Sequence, residues 1–342
     1  MLIPFLKDLS IVLVADRTYE NSEDADIEGN ALEMISNEYF DEVINGLTGI
    51  CKSVSHYQSP KELIDNIDNH KNDLVITIYG GKESRNRMAL VPAVCEAYKV
   101  RFAGADVYAR IVCQDKYLSK EFAKRYNIFS PRCVVVNGEI PKTFIEELKL
   151  PLVIKPNFEG SSIGINESSK VDSYKKAFEL IEKLQTQFKQ PILIEEFIYG
   201  REVCICVIGT QENITMFEVV EVYFEEDEGF LFDHLYTAKE KHLSDKTTCH
   251  RCITDLLEKD QKKNIQSLFR GLGKVDYMRL DGKINSDGFI LIELTPDCYL
   301  GHNSAFVAAA AKNEINYEKL LQIIIHSALE SCHIPYSSYK EN

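Results

Sequence analysis

The sequence predicts an α/β protein whose later part is α+β: an N-terminal open parallel sheet domain, a small central α+β subdomain, and a C-terminal antiparallel-sheet domain. Three observations carry this. Short apolar runs alternate with helical patterns over residues 1–112, and strands separated by helices pair in parallel. From residue 191 strand patterns follow one another directly, which suits antiparallel neighbours. Between them, 113–190 mixes two strands and a long helix. A chain of 342 residues also exceeds what one small core organises.

In order, Ile11 to Ala15 reads as a buried strand, and an acidic loop at 20–28 leads to a helix from about 31 to 47. Leu74 to Tyr79 is a second strand ending at Gly80-Gly81. In an open parallel sheet the ligand crevice lies beyond the strand ends, so Gly80 to Arg87 is a candidate site wall. Residues 88–98 read as helix, 101–102 as a short strand, and 114–125 as a helix with Lys116 near its start. A strand at 133–136 and a short helix at 141–148 follow. Leu152 to Lys155 is a buried strand. It runs into the hydroxyl-rich turn Gly160-Ser161-Ser162, after which Ile163 and Ile165 resume strand alternation. A helix over 171–188 has one apolar stripe and a capping pair at Ser169 and Asp172. Strands are expected at 191–196, 202–209, 214–222, 274–280 and 288–294. A long polar loop covers 225–250, Thr254 caps a helix ending near Gly271, and helices at 303–311 and 316–331 close the chain.

Composition excludes several classes. A net charge of −14 leaves no basic face for nucleic acid. No run approaches 18 apolar residues, so no membrane span is expected, and Lys7 and Asp8 interrupt the opening apolar run where a secretory leader needs continuity. A cytoplasmic protein is expected. Of the ten cysteines, Cys204 and Cys206 share a strand face. Cys249 and Cys252 form one C-x-x-C near His242 and His250, which suits core or loop thiols better than a zinc frame.

Three constellations could carry chemistry. The Gly-Ser loop after Lys155 can cover a polyphosphate with amides and hydroxyls, or be an ordinary turn. Glu195-Glu196-Phe197-Ile198 and Gly200-Arg201-Glu202 are strand ends able to hold a base and ribose, or simply solvated ends. Asp276 and Glu293, on strands joined by a turn, can form a hard-oxygen cation site or be two exposed acids.

Taken together, Gln114-Asp115-Lys116, the Lys155 strand with its Glu-Gly-Ser-Ser-Ile-Gly loop, Glu195 to Ile198, Gly200-Arg201-Glu202, Gly271 to Asp276 and Leu291 to Pro296 resemble the ATP-grasp superfamily. The D-alanine–D-alanine ligase branch is the most similar, over roughly 100–310. The resemblance implies ATP and Mg2+ as cofactors. Lys116, Lys155, Ser161 and Ser162 would meet phosphate, Glu195, Glu196, Phe197 and Ile198 would line the adenine pocket, Glu202 would hold the ribose, and Lys239 would be a lid lysine. Asp276, Glu293 and Thr295 would bind metal, with Lys274, Ser162 and Ser304 at the reacting end. Ser304 would hold the second substrate's carboxylate. The chain departs from the pattern in three places. Thr295 stands for an asparagine, with Asp297 two residues on. Lys274 stands for the arginine flanking the metal-binding aspartate. Ala15 to Glu20 replaces a glycine-serine-glutamate motif, which implies a remodelled first-amino-acid pocket.

The expected function is an ATP-dependent carboxylate–amine ligase acting through an acyl phosphate on small, amino-acid-like substrates. The domains would be 1–112, 113–190 and 191–342, and the resemblance leaves room for a homodimer. A kinase on the same scaffold, or a nucleotide-binding protein without turnover, are the alternatives.

Overall fold

The computed structural model describes residues 4–17, 35–81, 84–242, 246–296 and 298–332. The acidic loop at 20–28, the Thr18 to Glu20 stretch and Asp297 lie outside these. In the first sheet, β1 (Ser10–Val14) pairs in parallel with β2 (Ser53–Tyr57) and with β3 (Leu74–Thr77), and β4 (Arg101–Phe102) extends β3. Ile11 to Val14 are buried on both faces, as a central parallel strand requires. α1 (Asn37–Ile50) begins at Ser36, whose hydroxyl accepts from the Tyr39 amide. α2 (Pro60–Asn66) and α3 (Leu90–Tyr98) complete the unit. β2 and α2 were not anticipated, because Ser-Val-Ser-His-Tyr is too polar to read as a strand.

The expected helix at 114–125 is observed over 116–124, and a separate helix before it, at 107–114, was not anticipated. α4 (Val107–Gln114) ends and α5 (Lys116–Lys124) begins at Asp115, whose carboxylate accepts from the Leu118 amide.

The central subdomain holds β5 (Cys133–Val136), α6 (Lys142–Glu146), β6 (Leu152–Pro156), β7 (Lys170–Val171), α7 (Tyr174–Phe188) and β8 (Ile192–Glu196), with strand order β5-β8-β6-β7. Ala177, Ile181 and Leu184 of α7 pack on Leu152, Ile154 and Ile194. Three expectations change here. β8 pairs antiparallel with β6, so the central sheet runs past residue 190 to Glu196. Ile163 and Ile165 do not resume a strand: the turn runs over 161–164 and Ile165 is irregular. The α7 cap is Ser173, while Ser169 closes a capping box with Asn166.

The third sheet comprises β9 (Arg201–Gly209), β10 (Ile214–Phe224), β11 (Thr248–Cys252), β12 (Tyr277–Asn285) and β13 (Gly288–Thr295), in order β11-β10-β9-β12-β13 and antiparallel throughout. Two short helices, α8 (Phe230–Asp233) and α9 (Ala238–His242), interrupt what the sequence read as one loop. α10 (Lys259–Gly271) starts after Glu258, because the Thr254 hydroxyl is taken by Glu218 and by the Val219 amide. α11 (Ala305–Lys312) and α12 (Tyr317–Ser331) finish the described chain.

Period-two alternation gives this sheet two different faces. Val203, Ile205, Val207, Leu280 and Leu291 face α4, α5 and α10. The opposite face is apolar at one end, where Cys206, Ile208 and Tyr277 meet α11, α12 and α1. A bulge shapes its polar end. Asp281 pairs with Glu293, but Gly282 pairs with Leu291, so Ile292 is an extra residue. Phe289 and Leu291 face the core; unbroken alternation would send Glu293 there too. The bulge turns it to face Asp281.

Gly282 makes that approach possible, since a Cβ there would stand 2.3 Å from the Ile290 carbonyl oxygen. Backbone cannot yield as a flexible side chain does. Gly282→Ala is expected to cost about 1–3 kcal/mol, read as a lower urea midpoint; an unchanged midpoint would show that the strands part without strain.

Candidate active site

Glu293 and Asp281 are a cross-strand pair on one sheet face. Asp281 is clamped by Arg279, with Nε donating to Oδ1 at 2.5 Å and Nη2 to Oδ2 at 2.9 Å, while the Thr295 hydroxyl donates to Oδ2 at 3.1 Å. Burial pushes the Asp281 pKa up, but the Arg279 charge outweighs it and holds the carboxyl below its ordinary value. Asp281 is therefore held as a carboxylate in a fixed orientation.

The resemblance implies Asp276 and Lys274 at this site, and the structure corrects both. Asp276 precedes β12 in a left-handed conformation (φ 62°) and is buried. Its Oδ2 accepts from Lys274 Nζ and from the Gly104 amide, at 2.9 Å for the latter, and its Oδ1 accepts from the Ser331 hydroxyl. Lys274 also reaches the Gly104 carbonyl at 3.1 Å. These two residues tie the start of β12 to the N-terminal domain and to α12. The missed signal was Arg279-Leu280-Asp281, five residues downstream: an arginine and an aspartate on one strand face, opposite an acid on the paired strand.

Lys116, at the start of α5, is 2% exposed and contacts Glu293 Oε1 at 2.9 Å, and it also donates to the Glu159 carbonyl. Lys155, on β6, contacts Glu195 Oε1 at 2.5 Å. Glu195 itself is buried under Lys155 and Lys120, so its carboxylate belongs to a charge cluster. Burial alone would raise its pKa, yet the two ammonium charges bring it below the ordinary range. The Glu196 side chain accepts from the Lys149 amide at 3.0 Å. Phe197 is buried, with the Lys170 ammonium 3.7 Å from its ring centroid, and Ile198 is half-buried beside it. Glu202 pairs with Lys283 at 2.8 Å on the same sheet face as Asp281.

In the Gly-Ser loop, Ser161 and Ser162 adopt φ of 48° and 63°, and Ser161 is exposed. Gly164 has φ of 74°, where a Cβ would meet Pro156 and Phe188 at 2.8 Å. Ser162 donates to the Tyr236 carbonyl at 3.2 Å and accepts from Lys241 Nζ at 2.8 Å. Here too the placement is corrected: Lys239 is exposed and turns to Glu167 at 3.3 Å, whereas Lys241, two residues on, reaches the loop. Lys241 is exposed as a residue, and its ammonium reaches Ser162 on the loop. Desolvation first and Arg279 second depress its pKa, against the pull of Asp281, Glu293 and Glu202.

Of the expected wall from Gly80 to Arg87, Arg87 reaches the start of the Gly-Ser loop. Buried Arg87 contacts Glu159 at 3.0 Å, and Glu159 also accepts from Gln190 at 2.7 Å. Asp16 uses its two oxygens to receive the Gly80 and Gly81 amides at 2.9 and 2.8 Å. Ser304 caps α11, accepting from the Val307 amide at 3.2 Å. Its loop is pinned to α1, where the Leu300 amide donates to the Tyr39 hydroxyl at 3.1 Å and the His302 amide to Glu42 at 3.0 Å.

Asp281 and Glu293, with the Thr295 hydroxyl, are hard-oxygen donors suited to a divalent cation that shares phosphate oxygens. Among the described residues no group of three or more His, Cys, Asp or Glu could cage a metal. Cys249 and Cys252 lie three apart on β11 and so on opposite faces.

Residues 123–326 match the family described as D-ala D-ala ligase C-terminus. D-alanine–D-alanine ligases of Cupriavidus metallidurans and Actinobacillus succinogenes are each 26% identical, covering 70% and 79% of this chain and 71% and 86% of their own lengths. The solved D-alanine–D-alanine ligase of Bacillus anthracis complexed with ATP superposes with a TM-score of 0.70 at 19% identity, covering 95% of this chain and 98% of that one. The VanG D-Ala:D-Ser ligase of Enterococcus faecalis gives 0.68 at 20% identity, covering 94% and 99%.

Removing one partner of a buried ion pair leaves the other charge uncompensated. Asp276→Asn is therefore expected to destabilise the protein by about 3–5 kcal/mol, seen as a lower urea midpoint. A midpoint equal to the parent's would mean that Lys274 and Ser331 do not depend on this carboxylate.

Proposed function

The chain belongs to the D-ala D-ala ligase family, and from that premise we propose that it joins the carboxylate of one amino acid to the amine of a second through an acyl phosphate. It is an ATP-grasp ligase of the ADP-forming kind. The observation that carries the reading is the pair Asp281 and Glu293, facing each other across β12 and β13 with lysines gathered around them. Arg279 stands two residues before Asp281, so the expected departure at Lys274 disappears, while Thr295, in the altered loop that favours a protein without turnover, remains.

In this reading the triphosphate enters between the central and C-terminal sheets. Lys116 and Lys155 leave their carboxylates for phosphate oxygens, and Lys241 and the Ser161-Ser162 turn close over them. Magnesium, held by Asp281 and Glu293, would neutralise phosphate charge. Phe197 and Ile198 flank the base, and Glu202 meets the ribose. The substrate carboxylate attacks the γ-phosphorus in line and releases ADP. The second amine then attacks the acyl carbon, losing a proton as phosphate departs. Contact between Ser162 and α9 keeps water from the acyl phosphate. The second amino acid's carboxylate lies at Ser304, where the first amides of α11 favour an anion. Asp16 is engaged by the Gly80 and Gly81 amides rather than offered to a substrate amine, which supports a first-amino-acid pocket unlike that of D-alanine enzymes.

Purified protein given ATP, magnesium and paired amino acids is expected to form ADP, phosphate and an amide in equal amounts by mass spectrometry; stoichiometric AMP would overturn the reading. Magnesium dependence gives a second check. Asp281→Asn is expected to raise the magnesium concentration for half-maximal activity at least about tenfold, while Asp276→Asn leaves it unaltered in the folded fraction.

Lys241 adds a pH dependence. A lysine whose pKa is depressed is charged below that value and loses its charge as pH rises through it. The KM for ATP is expected to climb earlier on the alkaline side than an ordinary lysine would dictate. Lys241→Arg, whose guanidinium stays charged, should move that climb to higher pH. Superimposable profiles would exclude Lys241 from the phosphate site.

A further inference from the structure

Lys120 has no part in the reaction as described above, yet it is a fully buried lysine at the centre of the site. It lies one helical turn after Lys116 on the same face of α5. Its ammonium stands 3.0 Å from Glu195 Oε2 and donates to the Ile292 carbonyl at 2.6 Å. Ile292 is the extra residue of the β13 bulge, and a bulge interrupts the ladder that otherwise takes up strand carbonyls. Lys120 therefore holds two things at once: the bulge that aims Glu293, and the carboxylate that Lys155 contacts.

We propose that Lys120 is a positioning residue, the fixed counter-charge of Glu195 that lets Lys155 move to the triphosphate, and the anchor that keeps the Ile292 bulge and so Glu293 in place. The charge balance carries the first half. Glu195 bears one negative charge and touches two ammonium groups. If Lys155 departs for phosphate, an uncompensated buried carboxylate would draw it back. Lys120 is locked by its carbonyl contact and by burial, so it stays and keeps Glu195 neutralised. The second half rests on that carbonyl contact, because a part-buried acceptor that loses its charged donor favours relaxation of the bulge.

This rests on the reading that Lys155 meets phosphate, and the two can fail separately. Lys155→Ala with an unchanged KM for ATP would remove that reading itself. Where Lys155→Ala raises KM and Lys120→Met does not, only the present proposal falls. Lys120→Met is close in shape and removes both charge and donor. It is expected to raise the KM for ATP about tenfold or more, with kcat at saturating ATP and the KM for each amino acid within about threefold. Adding Glu195→Gln removes the charge that detains Lys155 and should return the ATP KM to within about threefold of the parent. The half-saturating magnesium concentration at saturating ATP should remain raised in that double variant, because the Ile292 carbonyl still lacks its donor. A merely structural lysine predicts the reverse: losses shared by every substrate and no recovery in the double variant. If Lys120→Met alone does not fold, the double variant, which removes both buried charges together, decides through the magnesium readout. An unchanged magnesium requirement there overturns the proposal.

Discussion

The site depends on one local constraint, the extra residue in β13 that brings Glu293 round to the face of Asp281. A strand has only two faces, so a single inserted residue exchanges them for all that follows. Upstream of the bulge, Phe289 and Leu291 build the core under α4, α5 and α10; downstream, Glu293 and Thr295 share a face with Arg279 and Asp281. The same strand thus serves the apolar interior and an ionic centre. Gly282 opposite the bulge leaves room for the Ile290 carbonyl, and Lys120 takes up the carbonyl of Ile292.

Charge is organised around that centre in pairs. Lys116 stands on Glu293, Lys155 and Lys120 on Glu195, Arg279 on Asp281, and Lys283 on Glu202. A protein of net charge −14 can therefore present cationic groups to a nucleotide without a basic surface, since each cation sits beside an acid inside a cleft. Buried pairs of this kind contribute little net stability against apolar replacements, but breaking one is costly. Their value here is that paired lysines are already positioned, so a phosphate exchanges partners rather than ordering free side chains.

The parts are tied together across sequence. Lys274 and Asp276 join β12 to Gly104 and Ser331, Arg87 joins the first domain to Glu159 before the Gly-Ser turn, and α1 holds the loop leading to Ser304 through Tyr39 and Glu42. Each contact spans at least 55 residues, and each fixes a loop that would otherwise be free to close or drift.

The sequence by itself determined the fold class, most of the buried strands and long helices, and the Gly-Ser turn after Lys155. These follow from local patterns: apolar periodicity, capping residues, and a glycine where the backbone turns left-handed. Tertiary structure decided which aspartate faces Glu293, which lid lysine reaches Ser162, and which sheet takes residues 192–196. In the first two cases the residue taken from the sequence, Asp276 or Lys239, has a neighbour of the same type within five residues, Asp281 or Lys241, and local composition alone does not separate them. The choice rests on strand register and on the unpaired residue at Ile292, and register is set by partners far along the chain rather than by the residues that display it.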